Sequence, residues 1–267
     1  LILSIVFGVY LLVKSRKSLE AKLLLTVISL LSVWLFGDLV LWATEHNEFT
    51  MFFWSVINLA EPFVYAFGLY FIYTFISKKD LSFSMKLLVF LPLLPTIILT
   101  PTQYAMFGFD LTSCDRDAVE GPLVYYGYLL EIAYTLAIIF YAFGAYQHKK
   151  LAIEKQQVVL ITTGMVLFLL SFAFGNIIGS LFTDLPFLGE DYSWTIGQYG
   201  LFGVPVFIGL LSYMIVRFRL FNIGLIAAQA LVIALIAVLG SEYAFVDSLM
   251  NQVLVSLTLV LTGALGI

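Results

Sequence analysis

Three carboxylic acids lie inside long apolar stretches of this sequence, where such groups can hold a proton or bind a small ligand. They are Asp38, Glu61 and Glu131. An ionised carboxylate at the centre of a membrane helix is unfavourable by about 3 kcal/mol on insertion scales. Each acid must therefore find a donor, face other helices or stay protonated. Counted from the ends of their helices, all three lie in the outer half, and we expect them to form one layer.

The neighbours of these acids are polar or aromatic at helical spacing. Residues three or four apart share a face of a helix, so Glu61 and Glu131 each lie on a polar stripe. Amides on two later helices occur at a similar depth. The pattern predicts a pocket open to the outside that binds a small ligand or changes protonation. Besides the three acids, its candidate ligand-binding residues are Asn58, Tyr65, Tyr128, Tyr134, Asn176 and Gln198.

The same residues also have a purely structural interpretation. Polar side chains between membrane helices form hydrogen bonds that fix packing, worth about 0.6 kcal/mol each. Asp38 is nearest the interface and can extend toward water. For the three amides, packing is the commoner role. Both interpretations stay open at the level of sequence.

Other kinds of chemistry have no signature in this chain. The single cysteine, Cys114, excludes an intramolecular disulfide, and there is no His/Cys cluster of the kind that binds metal. No phosphate loop, GxSxG or HExxH motif occurs. Every lysine lies in a predicted connection, whereas a retinal Schiff base requires one inside a helix. We therefore expect no catalytic residue, no cofactor and no metal.

The composition indicates that the lipid bilayer surrounds most of the chain. Of 267 residues, 62% are hydrophobic and 11% are charged, and the mean hydropathy is +1.04. Soluble domains carry about 25% charged residues. So few charges cannot cover a water-facing surface of this size. No basic cluster is long enough to follow a phosphate backbone, which argues against nucleic acid as a partner.

The apolar runs predict an all-α, polytopic transmembrane bundle. A span needs about 20 mostly apolar residues, and these runs are continuous rather than alternating, which favours helices over barrel strands. Pro92 and Pro95 interrupt the fourth run, which we expect to kink or to begin earlier. The nine predicted spans are 1–13, 23–43, 51–77, 87–99, 123–146, 157–182, 196–216, 223–240 and 251–267.

The basic residues orient these spans, because cytoplasmic loops are rich in Lys and Arg. Of the 13 basic residues, all except Arg116 fall in connections on one side. This pattern predicts a cell-membrane protein with its N-terminus outside and its C-terminus in the cytoplasm. The outer connection from about 100 to 121 is either a lid or a solvated loop. Both ends of the sequence are apolar, so we expect the membrane part of a longer protein.

A short motif follows the seventh run: Tyr213-Met-Ile-Val-Arg217-Phe-Arg219-Leu-Phe-Asn222-Ile. It resembles the exit of the seven-helix sensor region at the N-terminus of many bacterial histidine kinases. In that family a Tyr, two alternate basic residues and Leu-Phe are common, and an Asp is frequent where Asn222 stands. The stretch 114–123 also resembles the outer loop of some members.

The resemblance implies two domains. Residues 1–222 would form a seven-helix membrane sensor, and 223–267 would add a transmembrane helix pair leading to a cytoplasmic output module. That module would be the histidine kinase of a two-component system. This chain has no phosphoacceptor histidine or ATP-binding motif, so we expect it to be catalytically silent. Arg217 and Arg219 would either couple the seventh helix to the output or only anchor its end at the membrane.

Two function hypotheses follow. The first is a sensory receptor that detects an unknown small molecule or physical signal. The second is a secondary transporter or proton-coupled carrier that uses the buried acids. The exit motif favours the receptor, whereas a carrier would show discontinuous helices, for which Pro62 and the Pro92/Pro95 pair are the only hints. Gly175 and Gly179 have a GxxxG spacing that permits a homodimer.

Overall fold

The computed structural model describes residues 18–44, 46–110, 117–182 and 249–266, with a few isolated helical positions elsewhere. This part of the chain is mostly helical, in line with the predicted class. Its elements are α1 (Leu19–Ala43), α2 (Asn47–Ser77), α3 (Phe83–Phe90), a 3-10 turn (Leu91–Leu93), α4 (Leu94–Leu99), β1 (Met106–Asp110), β2 (Asp117–Glu120), α5 (Pro122–His148), α6 (Ala152–Phe182) and α7 (Leu249–Gly266).

Four of the described helices are long and apolar enough to cross a membrane, which supports a membrane protein. They are α1, α2, α5 and α6, and each matches a predicted span. The α3–α4 segment and α7 are apolar but shorter. Three further predicted spans, 1–13, 196–216 and 223–240, lie outside the continuous described ranges. The count of nine, and its division into seven plus two, therefore stays a prediction.

The chain divides into two compact units, and the division falls inside α5, after Ala137. The described residues of the first unit begin at Leu19. In this unit α1 and α2 pair in antiparallel fashion: Glu20 Oε1 lies 3.7 Å from Lys78 Nζ. Nearer the other end of the pair, a Cβ at Gly37 would come within 2.5 Å of Ile57 Cγ2. The glycine therefore permits the two backbones to approach closely.

The turn from α2 to α3 is held by one carboxylate. Asp80 accepts a hydrogen bond from the Tyr70 hydroxyl and another, of 2.7 Å, from Lys86 Nζ. Lys78 closes α2 in the left-handed conformation, and its N–H donates to the Thr74 carbonyl. The hydrogen bond from Lys86, followed by that from Tyr70, holds the pKa of Asp80 below its usual value.

The fourth predicted span is an interrupted helix that begins at Phe83, before the apolar run at 87–99, so the expected break and the expected earlier start both occur. Proline has no N–H and opens the hydrogen-bond ladder of a helix. The chain passes from α3 through the 3-10 turn at Pro92 into α4. Two tyrosines of α5 donate to carbonyls in this region: Tyr134 to Val89 O at 2.7 Å and Tyr126 to Pro92 O at 2.8 Å.

The connection between α4 and α5 contains an antiparallel hairpin, β1–β2, in which Met106 pairs with Glu120. Two backbone bonds of 2.9 Å join its base to α5, from Gly121 N–H to Ala105 O and from Leu123 N–H to Tyr104 O. A Cβ at Gly121 would overlap the carbonyl of Tyr104, so this position requires glycine. The base of the hairpin is thereby fixed against the first turn of α5.

The second unit contains the rest of α5 together with α6 and α7. Met165, Phe168, Leu169 and Phe172 are buried along one face of α6, and the rings of Phe168 and Phe172 stack with centroids 6.2 Å apart. Their spacing of three and four residues is that of an apolar helix face.

Candidate functional site

Two acids meet in the core of the first unit. Glu61 lies in the middle of α2 and is 5% exposed, whereas Glu131 lies in α5 and is 2% exposed. Their side chains are joined by a hydrogen bond, and the Tyr65 hydroxyl is hydrogen-bonded to Glu131. Two carboxyl groups can share a hydrogen bond only if one of them carries the proton. Carboxyl groups in this arrangement can hold one proton between two helices.

The local sequence of α2 makes room for this contact. Pro62 cannot donate to the carbonyl of Asn58, four residues earlier, so the helix ladder is open beside Glu61. Tyr65 lies one turn beyond Glu61 and is fully buried. Asn58, Glu61 and Tyr65 share one face of α2, as their spacing predicts.

A small cavity adjoins the carboxyl pair. Its volume is about 20 Å³, enough for about one water molecule. Sites for organic ligands measure roughly 300–1,000 Å³, so this cavity is far too small for one. Its walls come from α2, α4, the base of the hairpin and α5: Asn58, Glu61, Pro62, Thr96, Thr100, Ala105, Leu123, Val124, Gly127, Tyr128 and Glu131.

Two buried polar atoms of the cavity wall have no hydrogen-bond partner within the described part of the chain. They are Asn58 Nδ2, a donor, and Glu131 Oε2. The hydroxyls of Thr96 and Thr100 are satisfied locally, because they donate to the carbonyls of Leu93 and Thr96. Leaving a buried polar group unpaired is unfavourable by about 1–3 kcal/mol. A small polar molecule in the cavity would therefore supply the hydrogen bonds that these atoms of Asn58 and Glu131 lack.

Sequence reasoning missed Glu120, which lies on the hairpin side of this cavity and contacts the predicted residue Tyr128. Tyr128 donates a hydrogen bond of 3.5 Å to Glu120 Oε1, and Glu120 is half-buried at the end of β2. The signal was present in the sequence, since Glu120 precedes Gly121-Pro122, where a helix begins. Its contact with Tyr128, eight residues later, could not be predicted, because it depends on how the chain turns between the two residues.

The structure brings together five of the predicted site residues: Asn58, Glu61, Tyr65, Tyr128 and Glu131. Tyr134 is also buried, but its hydroxyl donates to the carbonyl of Val89, and it does not line the cavity.

The other predicted site residues are apart from this group or cannot be placed. Asp38 is half-buried on α1 and does not line the cavity. Asn176 lies in α6, in the other unit, and its side chain is not described. Gln198, Arg217 and Arg219 lie outside the described residues. Ligand binding at all these positions stays a prediction.

Comparisons with protein-family models, curated proteins and solved structures find no match to this chain. Within the described ranges, no group of three His, Cys, Asp or Glu residues is placed to hold a metal ion.

Proposed function

We propose that this chain is the membrane-embedded sensory region of a receptor, in which the signal changes the protonation of the Glu61–Glu131 pair. The observation that supports the proposal is the direct contact of the two carboxyl groups in a buried layer that Tyr65 adjoins. Ionisable residues inside membrane-spanning helices are rare and are candidates for function by default. A preformed site for an organic ligand is not needed for this input.

Loss of the shared proton would leave two negative charges side by side, with a large repulsion energy. Two like charges about 4 Å apart repel by about 4 kcal/mol at an effective dielectric constant of 20. A bias of this size changes a two-state equilibrium by about a thousandfold. Because Glu61 belongs to α2 and Glu131 to α5, the repulsion would act between these two helices. It would also disturb α3 and the 3-10 turn, whose carbonyls two tyrosines of α5 contact.

The output side of the proposal comes from sequence. With the predicted orientation, the carboxyl pair lies in the outer half of the membrane and the C-terminus is cytoplasmic. The resemblance of the Arg217–Asn222 segment to the exit of kinase sensor regions favours a histidine kinase as the cytoplasmic module. Residues 1–222 would receive the signal, 223–267 would transmit it, and Arg217 and Arg219 would couple the two.

The second candidate function is a proton-coupled carrier. The observation that favours it is the interrupted α3–α4 segment, whose Thr96 and Thr100 line the same cavity as the two acids. Many secondary transporters place discontinuous helices beside their coupling-ion sites. Because a carrier must move protons or solute across the membrane and a receptor need not, the two functions differ in a measurable property.

A conformational response to external pH tests the proposal. The 267-residue chain would be reconstituted in vesicles, and hydrogen exchange of α2 and α5 would be followed as the external pH is varied. We expect a pH-dependent change that Glu131→Gln and Glu61→Gln abolish and that Glu48→Gln, an exposed position at the start of α2, preserves. A response that persists in both buried variants would refute the role of the pair.

Proton flux separates the two candidates. Vesicles that contain a trapped pH-sensitive dye would be exposed to a pH gradient, with and without candidate solutes. The receptor proposal predicts no flux above that of protein-free vesicles. Flux that requires Glu61 and Glu131 would instead establish the carrier.

A further inference from the structure

A chain of polar groups leads from the half-exposed hairpin to the carboxyl pair. Glu120 is partly exposed, and its Oε1 lies 3.5 Å from the Tyr128 hydroxyl. Tyr128 lines the cavity together with Asn58 and Glu131. Asn58 Nδ2 and Glu131 Oε2 are buried and have no hydrogen-bond partner among the described residues. The cavity volume of about 20 Å³ accepts about one water molecule.

We infer that one ordered water in this cavity bridges Asn58, Tyr128 and Glu131, and that Glu120, Tyr128 and this water form the path by which protons reach the Glu61–Glu131 pair. The inference rests on the proposed function, because it assigns the route by which the same pair is loaded. It adds a water-binding site and a proton-donor role for Glu120.

Each transfer along this path conserves protons and needs no other reactant. A proton from solvent binds the Glu120 carboxylate, and the Tyr128 hydroxyl, which donates to Glu120 in the structure, turns toward the water. The hydroxyl oxygen then accepts the proton from Glu120 as the hydroxyl gives its own proton to the water. The water accepts this proton and gives one of its own to Glu131 Oε2, which lacks a partner among the described residues. The side-chain N–H of Asn58 holds the water in place. Release follows the same steps in reverse.

The described residues around the cavity are acidic or neutral, so a proton rather than a basic side chain neutralises the carboxyl pair. α2 contributes Glu61 and, through its bond to Glu131, Tyr65, and α5 contributes Tyr128 and Glu131. Thr96, Thr100 and Ala105 also line the cavity and are neutral. The strand β2 contributes only Glu120, which reaches the cavity through Tyr128. No Lys, Arg or His lines the cavity in the part of the chain that the structure describes.

The test is the rate of proton uptake by the 267-residue chain in lipid nanodiscs. After a rapid pH jump, time-resolved infrared spectroscopy would follow the carbonyl stretch of the protonated carboxyl pair, assigned by its loss in Glu131→Gln. We expect Tyr128→Phe and Glu120→Gln to slow uptake about 100-fold, the lower range for a positioned proton-transfer group. Asn58→Leu, which keeps the volume and removes the donor, should also slow it. The equilibrium amplitude should be retained in Tyr128→Phe.

Matched controls separate a proton path from general packing. Tyr125→Phe removes a hydroxyl from an exposed position of the same helix, and Glu48→Gln removes an exposed acid. Both should leave the rate unchanged. Equal rates in Tyr128→Phe and Tyr125→Phe would overturn the path. Rates that depend on sodium, compared with an equal concentration of a bulky organic cation, would assign the cavity to a cation and overturn the water.

Failure of the path is distinguishable from failure of the proposed function. If the carbonyl band titrates normally but Tyr128→Phe has no effect on its rate, only the path is wrong. If the band does not change between pH extremes, the pair does not titrate, and both the path and the proposed function are wrong.

Discussion

Tyrosine hydroxyls of α5 have three different environments, although sequence alone makes them look alike. Tyr128 faces the cavity, Tyr126 and Tyr134 donate to carbonyls of the interrupted helix, and Tyr125 is exposed. Pro92 and Pro95 interrupt the backbone ladder of this segment, and the two tyrosine donors from α5 add hydrogen bonds that hold it where no water is available.

We therefore expect Tyr134→Phe to lower the free energy of unfolding by about 1–3 kcal/mol, because it leaves the buried Val89 carbonyl without this donor. Tyr125→Phe, the exposed counterpart on the same helix, should change stability by less than about 0.5 kcal/mol. Unfolding of both variants in mixed micelles, monitored by circular dichroism, measures the difference. Equal stabilities would show that the Tyr134 bond contributes nothing to the interrupted helix.

Asp80 gives the turn between α2 and α3 a defined pH dependence. Because its partners Lys86 and Tyr70 lower the pKa of Asp80 in the folded state, its contribution to stability is fully present above the unfolded pKa. That contribution is lost as the pH falls through the lower, folded pKa. We expect protection of the Ser77–Ser82 amides to fall in this acidic range.

The Asp80→Asn variant tests this expectation by hydrogen exchange at several pH values. It should lose the acid-dependent part of the protection, whereas Glu48→Gln should retain it. Wild-type protection that does not change through the acidic range would contradict the assignment.

At the scale of elements, close approach of α1 and α2 depends on one glycine. A Cβ at Gly37 would meet Ile57 Cγ2 at 2.5 Å, but one at Gly144 in α5 would meet nothing within 4 Å. Overpacking of this kind destabilises by about 1–3 kcal/mol. Gly37→Ala should therefore lower the unfolding midpoint in mixed micelles, whereas Gly144→Ala should leave it unchanged or raise it slightly. If the two variants behave alike, the α1–α2 contact is looser than the structure describes.

Helices with strong local signals could be predicted from the sequence, and contacts between them could not. Pro92 and Pro95 predicted the break in the fourth span because the missing N–H is a property of the residue itself. Glu61 and Glu131 were predicted to share a layer, because depth follows from position in a span. Their hydrogen bond could not be predicted, since it depends on how α2 is rotated against α5. The hairpin was missed because its strands are short and lie in a polar connection.

For the whole molecule, the composition predicted that lipid surrounds most of the chain. The structure adds four helices that are long and apolar enough to cross a membrane. Orientation follows from a different property, the distribution of basic residues, which the fold does not report. Orientation also decides which face supplies protons to Glu120, because the hairpin and the inner connections lie at opposite ends of the predicted spans. The proposed input from outside is correct only if the segment between β1 and β2 faces outward.

The only cysteine offers a direct measurement of this orientation. Cys114 lies between β1 and β2 in sequence, beside the single basic residue that is predicted outside, Arg116. A membrane-impermeant maleimide should label Cys114 in intact cells, and Cys114→Ser should abolish the labelling. In that cysteine-free background, Lys149→Cys, in a predicted cytoplasmic connection, should react only after permeabilisation. The reciprocal pattern, with position 149 labelled in intact cells and position 114 protected, would reverse the topology and place the proton entry at Glu120 on the cytoplasmic side.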